Sequence, residues 1–180
     1  MQIQGGNRKL LEENIVIVKN LTALSATFLI IIVDQLSKYF IKTNLQLNEF
    51  VSIIGKYVGF RFIQNPGMAF GIQIGGGRTF FIIFTSIASL LIFIFLLRLK
   101  DDHYWTRIAL ASILGGAVGN LIDRIVYDGK VVDFIEIGPW PIFNFADVAV
   151  TFGMIILIII VFFEKKEDDE QQEQNFEVRY

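Results

Sequence analysis

The chain contains no cysteine and a single histidine, His103. Disulfides, thiolate metal sites and a cysteine nucleophile are therefore excluded, and a His-rich zinc site has no ligand set. A catalytic triad built on histidine has one candidate residue and no supporting pattern around it. Charge is also scarce: 19% of the 180 residues are charged, against roughly 25% in typical soluble domains. The net charge of −2 gives no electrostatic footprint for nucleic acid. What fills the chain is apolar. Hydrophobic residues make up 53%, Phe alone numbers 18, and the mean hydropathy is +0.54. The charges cluster and leave long gaps that a globular surface would not tolerate. The composition is that of an integral membrane α-helical protein.

A spanning helix needs about 20 mainly apolar residues, and four stretches qualify: Leu21–Ile41, Thr79–Leu97, Arg107–Tyr127 and Ile142–Phe163. Only the second is free of charge throughout. The first is uncharged from Asn20 to Val33, the third from Ile108 to Ile122, and the fourth only after Asp147. None of these three clean segments crosses a bilayer alone, so Asp34, Asp123 and Asp147 are expected at or inside the membrane boundary. Ionisable groups there are expensive and usually functional. The first apolar run continues into DQLSKYF without a small-residue cleavage site, as expected of a retained span and not of a removable signal peptide.

Arg8, Lys9 and Lys19 precede the first span, Arg98, Lys100 and Arg107 lie between the second and third, and Lys165 and Lys166 follow the fourth. The positive-inside rule then predicts both termini in the cytoplasm. Residues 1–20 form a cytoplasmic N-terminal segment and 21–163 the membrane domain, with outer loops at about 42–78 and 128–141. The Glu-, Asp- and Gln-rich stretch 164–180 is expected to be a disordered cytoplasmic tail. In the first outer loop, EFVSIIG and YVGFRFI predict short strands, hence a small extracytoplasmic β-sheet.

With this topology the unusual polar residues gather on one side. Asp34 and Lys38 lie near the outer end of the first span, NPGMAFG (65–71) in the first outer loop, and GNLIDR (119–124) at the end of the third span. VVDF (131–134) lies in the second outer loop, and Asn144 and Asp147 open the fourth span. Each has an ordinary explanation. Asp147 suits a helix N-terminus, and Asp34 and Lys38 are spaced for an i, i+4 pair. Asp123 and Arg124 suit an interfacial anchor, Gly115 and Gly119 a close helix approach, and NPG a turn. Asp133 is harder to account for, set among Val131, Val132, Phe134 and Ile135. Two aspartates brought together at a partly desolvated site share a proton. One can then activate water while the other protonates a scissile carbonyl. That chemistry needs neither metal nor cofactor, and Asp133 and Asp147 are the natural pair.

The blocks DQLSK, NPGMAFG, GGAVGNLIDR, VVDF and FNFADV, in this order over about Leu21–Phe163, resemble bacterial lipoprotein signal peptidases (signal peptidase II). The resemblance implies an aspartyl endopeptidase of the bacterial inner membrane, working on its outer side. Such enzymes remove signal peptides from prolipoproteins just before a diacylglyceryl-modified cysteine. It implies that Asp133 and Asp147 are catalytic. It assigns Asp34, Lys38, Asn65, Gly67, Asn120, Asp123, Arg124, Asn144 and Ala146 to support and substrate positioning. No cofactor, metal or nucleic acid is expected; the partners are lipid-modified prolipoproteins and membrane lipid, and the chain is expected to act as a monomer. Met68 stands where the family usually has a small residue. Three alternatives predict other patterns. A transporter or proton channel would place polar groups near the midplane or on both sides. A membrane scaffold packed through its glycines would not need Asp133. A serine–lysine peptidase would rely on Ser37 and Lys38, which point in different directions on a helix.

Overall fold

The computed structural model of the chain describes the backbone of residues 2–67, 77–99 and 103–177, and the side chains of 14–67, 78–99 and 103–163. Met68 and the rest of the NPGMAFG block after Gly67 lie outside the described residues. Four helices, α1 (Gln2–Asn44), α2 (Gly77–Arg98), α3 (Tyr104–Val126) and α4 (Phe145–Glu177), are joined by strands β1 (Phe50–Ile54), β2 (Val58–Asn65) and β3 (Val131–Ile137). All four helices are long and apolar enough to cross a membrane, over Asn14–Asn44, Arg78–Arg98, Tyr104–Val126 and Phe145–Phe163. The predicted spans agree to within a few residues at most ends, the start of α1 being the largest difference.

Burial ranks the helices. In α3, 56% of the apolar window is buried, against 11% in each of the others. Helix α3 is therefore the axis on which α1, α2 and α4 pack. Side chains such as Phe28, Phe84, Leu91 and Phe162 stay exposed, as lipid-facing residues do when the surrounding solvent is as apolar as they are. Close packing on α3 depends on glycine. A Cβ at Gly116 would run into the carbonyl oxygen of Ala146 on α4, and one at Gly119 would sit 2.6 Å from Asp34 Oδ2. The GGAVGN stretch thus serves two neighbours at once.

The strands form one antiparallel sheet in the order β1-β2-β3. Strands β1 and β2 are those expected from the first outer loop. The third comes from VVDFIEI, expected as loop, so Asp133 lies on a strand. Its Val, Phe and Ile neighbours suit a pleated, half-buried surface, and Val131 to Phe134 are all buried. The register shifts by one residue between Phe60 and Ile63, after which Ile63 pairs with Asp133 and Asn65 with Val131. Because side chains alternate along a strand, Asn65 and Asp133 then share a face. Ile41 at the end of α1 packs with Phe62, Val132 and Phe134, seating the sheet on the helix ends.

The expected disordered tail differs as well: α4 runs on to Glu177. Glu, Gln and Lys are strong helix formers, and no Gly or Pro interrupts residues 164–180. Their composition signals solvation, which is compatible with a helix.

Candidate active site

The site assembles where the sheet meets the helix ends. Phe143 pairs with Ile135 through backbone hydrogen bonds, Ile135 N–H donating to Phe143 O at 2.8 Å and Phe143 N–H to Ile135 O at 3.1 Å. This clip brings the N-terminus of α4 against β3, and Asn144 follows at once. Asn144 caps α4: its Oδ1 accepts from the N–H of Asp147 at 2.9 Å, while Asp147 Oδ2 accepts from the N–H of Asn144 at 3.2 Å. This reciprocal pattern is a capping box with Asp in place of the usual Glu or Gln. The same Asn144 donates through Nδ2 to Asp133 Oδ1 at 2.7 Å. One buried amide therefore holds both aspartates.

The remaining acceptor positions are filled from other elements. Asn65 Nδ2 donates to Asp133 Oδ2 at 2.9 Å, and Asn65 Oδ1 accepts from Gly67 N–H at 2.9 Å. Gly67 sits at φ +91°, and a Cβ there would meet the Phe81 ring at 2.8 Å, so the turn requires glycine. Asn120 Nδ2 donates to Asp147 Oδ1 at 2.8 Å. Its Oδ1 accepts from Lys38 Nζ at 2.9 Å and from Asn144 Nδ2 at 3.1 Å. The ammonium can only donate, which fixes the orientation of both amides.

Beneath this layer lies a buried ion cluster. Lys38 Nζ is 2.8 Å from Asp34 Oδ2 and 3.0 Å from Asp123 Oδ2, with all three side chains at most 2% exposed. The two carboxylates also bind backbone. Asp34 Oδ1 accepts from Ala146 N–H at 2.9 Å, and Asp123 Oδ2 from Val132 N–H at 2.9 Å. Asp34 thus caps α4 from α1, and Asp123 ties α3 to β3 next to Asp133. The i, i+4 pair of Asp34 and Lys38 is present, but Lys38 also joins α1 to α3.

Two contacts depart from what the amino-acid order suggests. Asp123 is partnered by Lys38 and not by its neighbour Arg124. The Arg124 guanidinium instead donates to Asn120 O at 3.3 Å and lies 5.5 Å from the Phe81 ring centroid. Its charge is within electrostatic reach of Asp147 and Asp133, and its buried Nε has no partner among the described residues. The second concerns Gln35, which was not singled out. Its Nε2 donates to Asp34 Oδ2, Gly119 O and Asp123 Oδ1 at 3.0–3.2 Å. A glutamine beside an aspartate in a helical run is an ordinary helix former, so only the fold exposes its position between two acids. All eleven residues expected at the site lie in this network or pack directly against it.

Asp133 is 2% exposed. Burial pushes its carboxyl up to about 7, and the nearby Asp147 charge adds to that, while the donors Asn65 and Asn144 and the Lys38 charge pull it down. The folded chain thus holds this proton more tightly than the unfolded one. Its stabilising contribution is full below about pH 4 and is lost as pH rises through about 7. If the protonated form is needed for catalysis, kcat/KM should fall about tenfold per pH unit above about 7. Removing a donor that favours the charged form shifts that limb: Asn65→Ala should move it to higher pH. A pH–rate profile checks this, and a limb that stays or moves down contradicts it.

Three comparisons bear on this geometry. The family model described as signal peptidase (SPase) II matches residues 26–163. A lipoprotein signal peptidase of Moorella thermoacetica is 42% identical over 133 residues, covering 74% of this chain and 87% of that protein. One from Pseudomonas syringae is 40% identical over 138 residues, covering 72% and 79%. A solved structure of a bacterial membrane enzyme superposes with a TM-score of 0.74 at 32% identity, covering 81% of this chain and 90% of that one.

Proposed function

The chain belongs to the signal peptidase II family, and from that premise we propose that Asp133 and Asp147 are the catalytic pair with which it removes signal peptides from prolipoproteins. The observation that carries the assignment is that Asn144 binds both carboxyl groups, Asp133 Oδ1 through its side-chain Nδ2 and Asp147 Oδ2 through its backbone N–H. Asp133 holds the shared proton near neutrality, since its carboxyl is pushed to about 7. Asp147 takes a proton from water as the water oxygen attacks the carbonyl carbon preceding the modified cysteine. Asp133 gives its proton to the carbonyl oxygen. The tetrahedral intermediate then collapses: Asp147 protonates the leaving nitrogen, the C–N bond breaks, and Asp133 regains a proton from the hydroxyl. Both carboxyl groups return to their starting state. Arg124, with its buried Nε unpartnered among the described residues, is left to hold a substrate carbonyl. All of these groups come from one chain, which supports action as a monomer.

The substrate's diacylglyceryl group keeps its modified cysteine at the membrane surface. A pair of carboxyl groups at the helix ends, under a sheet, suits that depth. We place this face on the outer side of the bacterial inner membrane, on the Lys and Arg bias of the opposite loops. The absence of native cysteine makes the sidedness directly testable. With Lys130→Cys, a membrane-impermeant thiol reagent should label intact spheroplasts. With His103→Cys, it should label only after permeabilisation. The reverse pattern would invert the topology and remove the site from its substrate.

A transporter or channel is not favoured. Among the described residues the buried carboxyl groups and Lys38 form one closed network at one end of the bundle.

A further inference from the structure

Three of the helices bring hydrogen-bonding side chains to the site: Asp34, Gln35 and Lys38 from α1, Asn120 and Asp123 from α3, and Asp147 from α4. Helix α2 brings none among the described residues, and its run from Thr79 to Leu97 carries no charge. It meets the site through one half-buried ring, that of Phe81. On β2's side the ring lies against Gly67, where an added Cβ would come within 2.8 Å of it. On α3's side its face lies under the Arg124 guanidinium, whose carbon is 5.5 Å from the ring centroid. Phe80 meets Phe81 at 5.6 Å and an interplanar angle of 76°, the edge-to-face arrangement that aromatic pairs favour. The tilt of the Phe81 ring is thereby set from its own helix.

Arg124 needs such a support. Its side chain makes one hydrogen bond, Nη1 donating to Asn120 O at 3.3 Å, the long end of the range, and its Nε has no hydrogen-bond partner among the described residues. The charges of Asp147 and Asp133 attract it, but attraction toward two carboxyl groups sets no orientation for a planar group on a long, flexible stem. A ring face does, because a guanidinium stacks on it. The attraction of a cation to the ring quadrupole is also stronger where water is excluded. The other neighbour of the ring belongs to the same site. Gly67 N–H donates to Asn65 Oδ1, and Asn65 Nδ2 donates to Asp133.

We propose that Phe81 is a positioning residue for cleavage, its ring face holding the Arg124 guanidinium in the orientation that meets the substrate. The inference rests on the reading of Arg124 as a substrate contact, and Phe81 acts through Arg124 alone. What the site uses is then the charge distribution of the ring and not its bulk. A leucine at this position would keep apolar contact with Gly67 and give the guanidinium no face to lie on.

Replacing Phe81 in the full-length protein by phenylalanines carrying one, two and three fluorines tests this, since fluorine drains charge from the ring face and changes its size little. For a diacylglyceryl-modified precursor, kcat/KM should fall step by step along the series. The loss should reach about tenfold for the trifluorinated ring and for Phe81→Leu, the scale of a desolvated cation–π contact. The same fluorinated residues at Phe84, which stacks on Phe80 at 5.9 Å and is exposed on the lipid-facing surface, should leave kcat/KM unchanged. If Phe81→Leu does not fold, the fluorinated rings, nearly the shape of phenylalanine, keep the test decisive. Equal kcat/KM across the Phe81 series would overturn the proposal. An equal decline at Phe84 would overturn it too, since the effect would then be one of fluorine in the helix and not of the ring under Arg124. Failure of the unsubstituted protein to cleave the precursor would contradict the proposed function itself, the premise of this inference.

Discussion

Asp133→Asn and Asp147→Asn should each slow cleavage of a diacylglyceryl-modified precursor by about 10³-fold or more, with the protein still folded. Asparagine keeps the size of the side chain but cannot exchange a proton, and general acid–base catalysis by one positioned group is worth on the order of 10² to 10⁴. The double variant should be no slower than the slower single one, because groups that act as a unit do not add. Folding should survive because neither aspartate belongs to the Lys38 ion cluster. Asp147 also caps α4, and Asn at that position can still accept the N–H of Asn144. Single-turnover rates of the three variants, alongside thermal unfolding in detergent, provide the check. Turnover within tenfold of wild type in either single variant would exclude the pair.

Lys38→Met should have the largest effect on stability. The lysine lies between Asp34 and Asp123, at 2.8 and 3.0 Å, with all three side chains buried. Removing one partner of a buried ion pair leaves uncompensated charge and costs about 3–5 kcal/mol. Here two carboxylates would be stranded, and Asn120 would lose the donor that orients its amide toward Asp147. Folded yield should drop sharply and activity with it. Neutralising all three positions, as Asp34→Asn with Lys38→Met and Asp123→Asn, should recover most of the stability. A Lys38→Met variant that melts like wild type would mean the cluster does not tie α1 to α3.

Much of this arrangement is legible in the amino-acid order, and the parts that are not share a cause. Apolar runs of spanning length mark the four helices, and the one-sided gathering of Asp34, Asp123, Asp133 and Asp147 marks the site. The place of Asp147 in a helix first turn follows from FNFADV alone. Contacts between elements distant in sequence are another matter. That VVDFIEI is a strand becomes visible only once β2 supplies its partner, with a one-residue register shift that sets Asn65 beside Asp133. Lys38 looks like the partner of Asp34 because both lie on α1, yet its second carboxylate comes from α3. Arg124 looks like the partner of Asp123 because they are adjacent, yet successive helical residues face apart. Gln35 carries no local signal at all. The helical course of the acidic tail is not legible, since a composition that suits a disordered tail also suits a helix.

The central claim is that two aspartates activate water without themselves bonding to the substrate. A single turnover of lipid-modified precursor in ¹⁸O-water, read by mass spectrometry of enzyme and product, tests it most directly. The released signal peptide should carry one solvent oxygen in its new C-terminal carboxylate from the first turnover, with Asp133 and Asp147 unlabelled. Label in either aspartate, or a first product lacking solvent oxygen, would mean that a carboxylate attacks the carbonyl and would contradict the mechanism.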